Sequence, residues 1–202
     1  MIRRFVAQKL LKKLNERIQS QIDLSCTVIL GVVLKGLPVA YGLARMNNAV
    51  SNFVPLVAQR QLYMQHQIES YFPSLEWKAR LNKLLNTRER VLIVDDVINT
   101  GFTRQKVESI VDSLAEKQRE TVPRQFAALI LNRKRLAGSR FAHSNDIFAL
   151  EVNAFDVECD WGLVTVPLWD LPIQDALKRC EEYYQRFWIN EKRFLKVSYY
   201  TN

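Results

Sequence analysis

Two rhythms of apolar residues run along this chain. Residues 27–34, 91–94 and 124–131 carry near-continuous apolar runs rich in valine, isoleucine and leucine. Such runs predict strands buried on both faces, as in a parallel sheet. Residues 53–58 predict a shorter strand, and the stretches 146–152 and 160–170 close the sheet. Between these runs the spacing turns helical. Val6, Leu10, Leu11, Leu14 and Ile18 form one stripe across residues 5–22, and Val107, Ile110, Val111 and Leu114 another across 104–118. Residues 39–46 predict a helix, as do 75–87, where Leu75, Trp77, Leu81, Leu84 and Leu85 recur. A last helix is expected across 171–196, with Pro172 suited to its first turn. Alternating strands and helices predict an α/β fold, with an open, mostly parallel, twisted sheet flanked by helices. Within 49–86 the pattern is weakest, because 59–71 is polar and Pro73 breaks it.

At 202 residues the chain suits a single domain. Its expected core covers about 24–170, preceded by a helix in 1–23 and followed by an aromatic-basic helical segment in 171–202. Apolar residues make up 48%, with no low-complexity tract, which argues against disorder. No apolar run reaches membrane-spanning length, and the first residues lack a signal-peptide core. Cys26, Cys159 and Cys180 are odd in number, which predicts reduced thiols and a cytoplasmic setting. The net charge of +8 gathers in Arg3, Arg4, Lys9, Lys12, Lys13 and Arg17 and again near the last helix. This balance suits a polyanionic small substrate or nucleic acid, and composition does not separate the two.

The chemistry concentrates where the 91–94 strand ends. Asp95 and Asp96 follow it, then Val97 and Ile98, then the polar turn of Asn99, Thr100, Gly101, Phe102 and Thr103, then a helix. A loop outside the carboxyl end of a parallel strand is where open α/β sheets bind ligands. The unsatisfied N–H groups at a helix start suit a phosphate, which Gly101 lets the backbone approach and to which threonine hydroxyls donate. Paired carboxylates suit sugar hydroxyls or a metal ion instead. Together they fit a sugar phosphate. A second strand–bend–helix unit places Lys35 and Gly36 after the 27–34 strand, where a lysine and open N–H groups suit a pyrophosphate.

Residues 91–103 resemble the phosphoribosyl-pyrophosphate motif of type I phosphoribosyltransferases, and Leu34-Lys35-Gly36 resembles the pyrophosphate loop of their hypoxanthine-guanine members. The resemblance implies that fold, with a small hood and a C-terminal helix, and Mg²⁺-dependent transfer of a 5-phosphoribosyl group to a base, of purine type. Asp95 and Asp96 then hold the ribose, residues 99–103 the 5′-phosphate, and Lys35 and Gly36 the pyrophosphate. A mobile flap is expected within 49–86. Arg133 or Lys134 contacts the base, Trp161 stacks on it, and Asp170 lies near Mg²⁺. From the residues alone, Trp161 serves equally as a core side chain, Asp170 as a helix cap, and 132–135 as a basic solvated loop.

Leu37 replaces the second glycine of the resembled pyrophosphate loop, and a further departure bears on the chemistry. Asn99 stands where hypoxanthine-guanine and xanthine-guanine enzymes carry an aspartate that handles the purine proton, and an amide is no general base. A rival expectation therefore stands beside the enzyme: a non-catalytic nucleotide sensor of the same fold, binding nucleic acid or protein through its basic helix and aromatic-basic tail. Homo-oligomerisation is also expected, with those aromatics as one candidate contact and core packing or a nucleic-acid surface as the others.

Overall fold

The computed structural model describes residues 1–33, 35–57, 72–115, 123–139, 145–159, 168 and 171–199. Its centre is a five-stranded sheet in the order β3-β2-β4-β5-β6, formed by β2 (Thr27–Val33), β3 (Phe53–Val57), β4 (Arg90–Ile98), β5 (Arg124–Asn132) and β6 (Ile147–Val152). Every pairing is parallel. All residues of β2 and β3 are buried, as are Val91 to Val94 of β4 and the last seven of β5. Burial on both faces is what their unbroken apolar runs require.

Helices cover this sheet. In α1 (Ala7–Gln19) the stripe Leu10, Leu11, Leu14 and Ile18 is buried, while Lys9, Lys12 and Lys13 face solvent. That stripe packs on β5 and β6, beside α2 (Gly36–Met46), which lies over β2 and β4. In α3 (Leu75–Leu85), Trp77 is fully buried with its ring edge-on to Phe53 of β3, centroids 6.2 Å apart. α4 (Phe102–Ala115) follows β4 and buries Val107, Ile110, Val111 and Leu114.

Three differences from the sequence expectation matter. First, β4 does not stop before the acids. Its ladder with β5 continues through Asp95↔Ala128, Val97↔Ile130 and Ile98↔Leu131, so both carboxylates belong to the strand. Second, the chain opens with β1 (Ile2–Val6), and the expected final helix ends early. α6 (Ile173–Tyr184) runs into one wider π-helical turn, Gln185–Asn190, and then into β8 (Phe194–Ser198). β8 lies between β1 and β7 (Asp156–Cys159) in a separate three-stranded antiparallel sheet. Third, the basic residues after β5 form a single helical turn, α5 (Arg133–Leu136).

Several aromatics of the 171–199 region pack back on the fold. Phe187 and Trp188 are buried, and the Trp188 indole N–H donates to the Pro38 carbonyl at 2.8 Å. Tyr41 of α2 and Glu181 of α6 are joined by a 2.9 Å hydrogen bond, and Arg45 reaches the same carboxylate at 3.0 Å. α6 and the π turn thus brace α2, whose first turn carries Lys35 and Gly36.

Candidate active site

The strand order reverses next to β2. From β2 the chain passes through α2 to β3 on one side, and from β4 through α4 to β5 on the other. Between β2 and β4 lies the switch point, where loops part and leave a crevice at the carboxyl ends of the strands. Lys35-Gly36 and the 95–103 segment both sit there. Their contact is close: a Cβ placed on Gly36 would lie 2.6 Å from the Val94 carbonyl oxygen, 2.7 Å from Asp95 Cα and 3.0 Å from Asp95 Oδ1. Only a residue without a side chain lets α2 start against β4.

After Ile98 the chain bends through Asn99 and Thr100 to Gly101, whose φ of 75° lies in the left-handed region open to glycine. α4 starts at the next residue, and its first bond runs from the Gln105 N–H to the Gly101 carbonyl at 3.0 Å. The N–H groups of the helix's first turn lack intrahelical acceptors, and the helix dipole adds partial positive charge there. Beside them is a hollow of about 120 Å³, lined by Asp95, Asn99 to Thr103, and the floor residues Val97, Ile98 and Phe126. The phosphate-binding turn expected at 99–103 thus faces a real cavity that one of the two acids also reaches.

Asp96 is 7% exposed and Asp95 half-buried. The Asp95 carboxylate accepts a hydrogen bond from the Asp96 backbone N–H at 2.8 Å. Burial pushes the Asp95 pKa well above the usual aspartate range, and the neighbouring Asp96 carboxyl raises it further through its charge and a shared hydrogen bond. The Asp96 N–H and the Lys35 ammonium act in the opposite direction and do not prevail. Positive charge arriving beside Asp95 would oppose this shift and favour its ionised form.

Asn99 is held by a residue to which sequence reasoning assigned no role. Asn132, at the end of β5, is fully buried. Its Oδ1 accepts from the Ala154 N–H at 3.2 Å, its Nδ2 donates to the Ala154 carbonyl at 3.2 Å, and Nδ2 also donates to Asn99 Oδ1 at 3.1 Å. The only hint in the sequence is a polar side chain ending an apolar run.

Arg104 also lines the hollow, yet its charge is already committed. It bonds Glu108 at 3.0 Å and the nearly sealed Asp146, and its guanidinium lies 4.6 Å from the Phe126 ring centroid. It anchors the first turn of α4 to β5 and to the entry of β6.

The remaining expected residues are placed as follows. Lys35 is exposed at the start of α2. Arg133 and Lys134 lie in α5 and do not line the hollow, and Arg133 pairs with Glu151 of β6 at 2.9 Å. Trp161 and Asp170 fall outside the described residues, as do residues 58–71, the middle of the region expected to hold the flap. Among the described residues, no group of three or more His, Cys, Asp or Glu side chains is arranged to hold a metal ion, and no helix is long and apolar enough to cross a membrane.

No protein-family model matches the chain. No curated protein matches it in sequence. Among solved structures, the purine phosphoribosyltransferase from Pyrococcus horikoshii Ot3 is similar to this chain at 16% identity and a TM-score of 0.43, over 71% of this chain and 81% of that one.

Proposed function

We propose that this protein transfers the 5-phosphoribosyl group of phosphoribosyl pyrophosphate to a ring nitrogen of a base, of purine type, and releases pyrophosphate. One observation carries the reading: at the switch point, the Lys35-Gly36 bend touches Asp95 beside the hollow of the 99–103 turn. Three groups of complementary chemistry thereby meet in one crevice. Thr100, Gly101, Thr103 and the start of α4 receive the 5′-phosphate, Asp95 and Asp96 the ribose hydroxyls, and Lys35 with the first N–H groups of α2 the pyrophosphate.

In the reaction, the C1′–O bond to pyrophosphate breaks with its electron pair leaving on oxygen, and a C1′–N bond forms while the base nitrogen gives up its proton. The ribose passes through an oxocarbenium-like state. Positive charge then grows beside the acid pair as negative charge grows beside Lys35, so each group stabilises the transition state more than the ground state. The developing cation also favours the ionised form of Asp95. Adjacent carboxylates next to a polyphosphate suit Mg²⁺, which takes one or two carboxylates plus substrate oxygens. When bound, the ion neutralises charge on the leaving pyrophosphate.

A second reading, a nucleotide sensor that performs no transfer, is favoured by Asn99, an amide too weakly basic to take a proton from a base. The deciding experiment incubates the protein with phosphoribosyl pyrophosphate, Mg²⁺ and a panel of nucleobases and measures pyrophosphate. Release with one or more bases, lost in Asp95→Ala/Asp96→Ala, is expected. No release with any base, together with salt-dependent RNA or DNA binding, selects the sensor. Undiminished ribose 5-phosphate binding by the double variant overturns the site itself.

A further inference from the structure

The small sheet ends in a strand bonded on one side only. The Tyr199 N–H donates to the Met1 carbonyl at 2.9 Å, and the Ala7 N–H to the Arg193 carbonyl at 2.9 Å. These two bonds bracket β1 and fix which of its residues face β8. Antiparallel pairing then assigns Arg3 and Phe5 to the bonded set, opposite Val197 and Leu195. The N–H and C=O groups of Ile2 and Arg4 turn away from the sheet, and no hydrogen bond among the described residues uses them. Nor is this edge shielded, since Met1 to Arg4 are all exposed and Ile2 is 68% so.

Charge decides what such an edge accepts. Arg4 forms no ion pair among the described residues. On its face it stands beside Lys196, and Glu158 of β7 lies two strands away, about 9–10 Å. On the other face the Arg3 guanidinium lies 5.5 Å from the Tyr199 ring centroid. α1 starts where β1 ends and adds the exposed Lys9, Lys12 and Lys13. A second copy of β1 brings arginines to the edge and is opposed by like charge. β7, the acidic strand of the same sheet, offers no comparable edge, because its Val157 is buried.

We propose that the β1 edge is a docking site for an extended acidic segment of a partner protein, which joins the small sheet as a further strand. Its backbone bonds Ile2 and Arg4, its carboxylates lie beside Arg4, and an apolar side chain covers Ile2. The site lies outside the crevice of the parallel sheet, so it stands independently of the phosphoribosyl reading.

The test titrates the full chain with two end-blocked peptides, Val-Glu-Val-Glu-Val and Val-Lys-Val-Lys-Val, and follows amide hydrogen exchange by NMR. Opposite charges across a strand pair favour the first and like charges disfavour the second. About tenfold tighter binding of the acidic peptide is expected at low salt, shrinking to about twofold near ~0.5 M salt. With the acidic peptide bound, exchange at Ile2 and Arg4 should slow about tenfold or more, while Arg3 and Phe5, already bonded to β8, stay within about twofold. Arg4→Glu should reverse the order of the two peptides. Arg4→Pro deletes an outward donor and leaves the bonds to β8, so it should weaken the acidic peptide about tenfold or more. Should the proline variant fail to fold, Arg4→Glu decides. Binding of neither peptide, equal binding of both, an order unchanged by Arg4→Glu, or slowed exchange at Arg3 and Phe5 instead overturns the inference. So does either rival occupant: self-association in sedimentation that Arg4→Glu disperses, or a uridine oligonucleotide that displaces the acidic peptide.

Discussion

Replacing Gly36 with alanine probes the contact on which the site depends. The new methyl would sit 2.6 Å from the Val94 carbonyl oxygen and 2.7 Å from Asp95 Cα, most of an ångström inside ordinary van der Waals contact. Both neighbours are backbone atoms of a central strand paired on either side, so no side chain is free to swing away. The start of α2 has to lift from β4 instead. Overpacking of this kind costs about 1–3 kcal/mol. Alanine returns up to about 1 kcal/mol of helix propensity, less in a first turn. The net loss is about 1–2 kcal/mol, which lowers the melting temperature by about 3–6 °C for a chain of this size. Gly138→Ala supplies the control, because a Cβ there meets nothing within 4 Å. Thermal melts of the three proteins, with ribose 5-phosphate titrations, test the reasoning. Gly36→Ala should melt lower and bind more weakly, since the lifted start of α2 moves the Lys35-Gly36 bend away from Asp95 and opens the crevice, and Gly138→Ala should do neither. A Gly36→Ala protein that melts at or above the parent temperature with full affinity would refute the contact.

Three further outcomes follow from the same geometry. Because the folded-state pKa of Asp95 is raised, the native state holds a proton that the unfolded chain releases above about pH 4. Stability should therefore decline as pH rises from the ordinary aspartate pKa towards the raised one, and Asp95→Asn should melt higher than the parent at neutral pH while losing ribose-phosphate binding. A flat difference between the two proteins across that range would count against the raised Asp95 pKa. Arg104→Met removes one guanidinium from Asp146, whose side chain is only 2% exposed; urea titration should show a loss of about 1.5–3 kcal/mol, and a loss below about 0.5 kcal/mol would remove Arg104 as an anchor. The Cys180 thiol is buried and its pKa pushed up to about 12 by desolvation, so mass spectrometry after iodoacetamide treatment of the native protein near neutral pH should find it unmodified; rapid labelling would place it at the surface.

How far the fold could be read in advance varied with local chemistry. β2, β4 and β5 declare themselves because strands buried on both faces need unbroken apolar runs, and Gly101 marks its turn because few other residues reach its φ. The small sheet was hidden for opposite reasons. β1 is mostly exposed, so nothing in residues 2–6 alternates. β8 does alternate, with Leu195 and Val197 buried, but over too few residues to stand out beside a longer helical stripe. That β4 continues through its acids was equally illegible, because the ladder that holds them belongs to Ala128 and its neighbours on β5. The grip of Asn132 on Asn99 joins residues 33 positions apart and depends on a backbone segment from a third place, which no local pattern encodes.

The pairing of Ile2 with Ser198 bears on how the protein is made. Residues 2–6 are synthesised well before the strand that completes their hydrogen bonds, 194–198. An open, basic edge must wait while the residues between the two strands are made, its Arg3 and Arg4 discouraging association with other chains meanwhile.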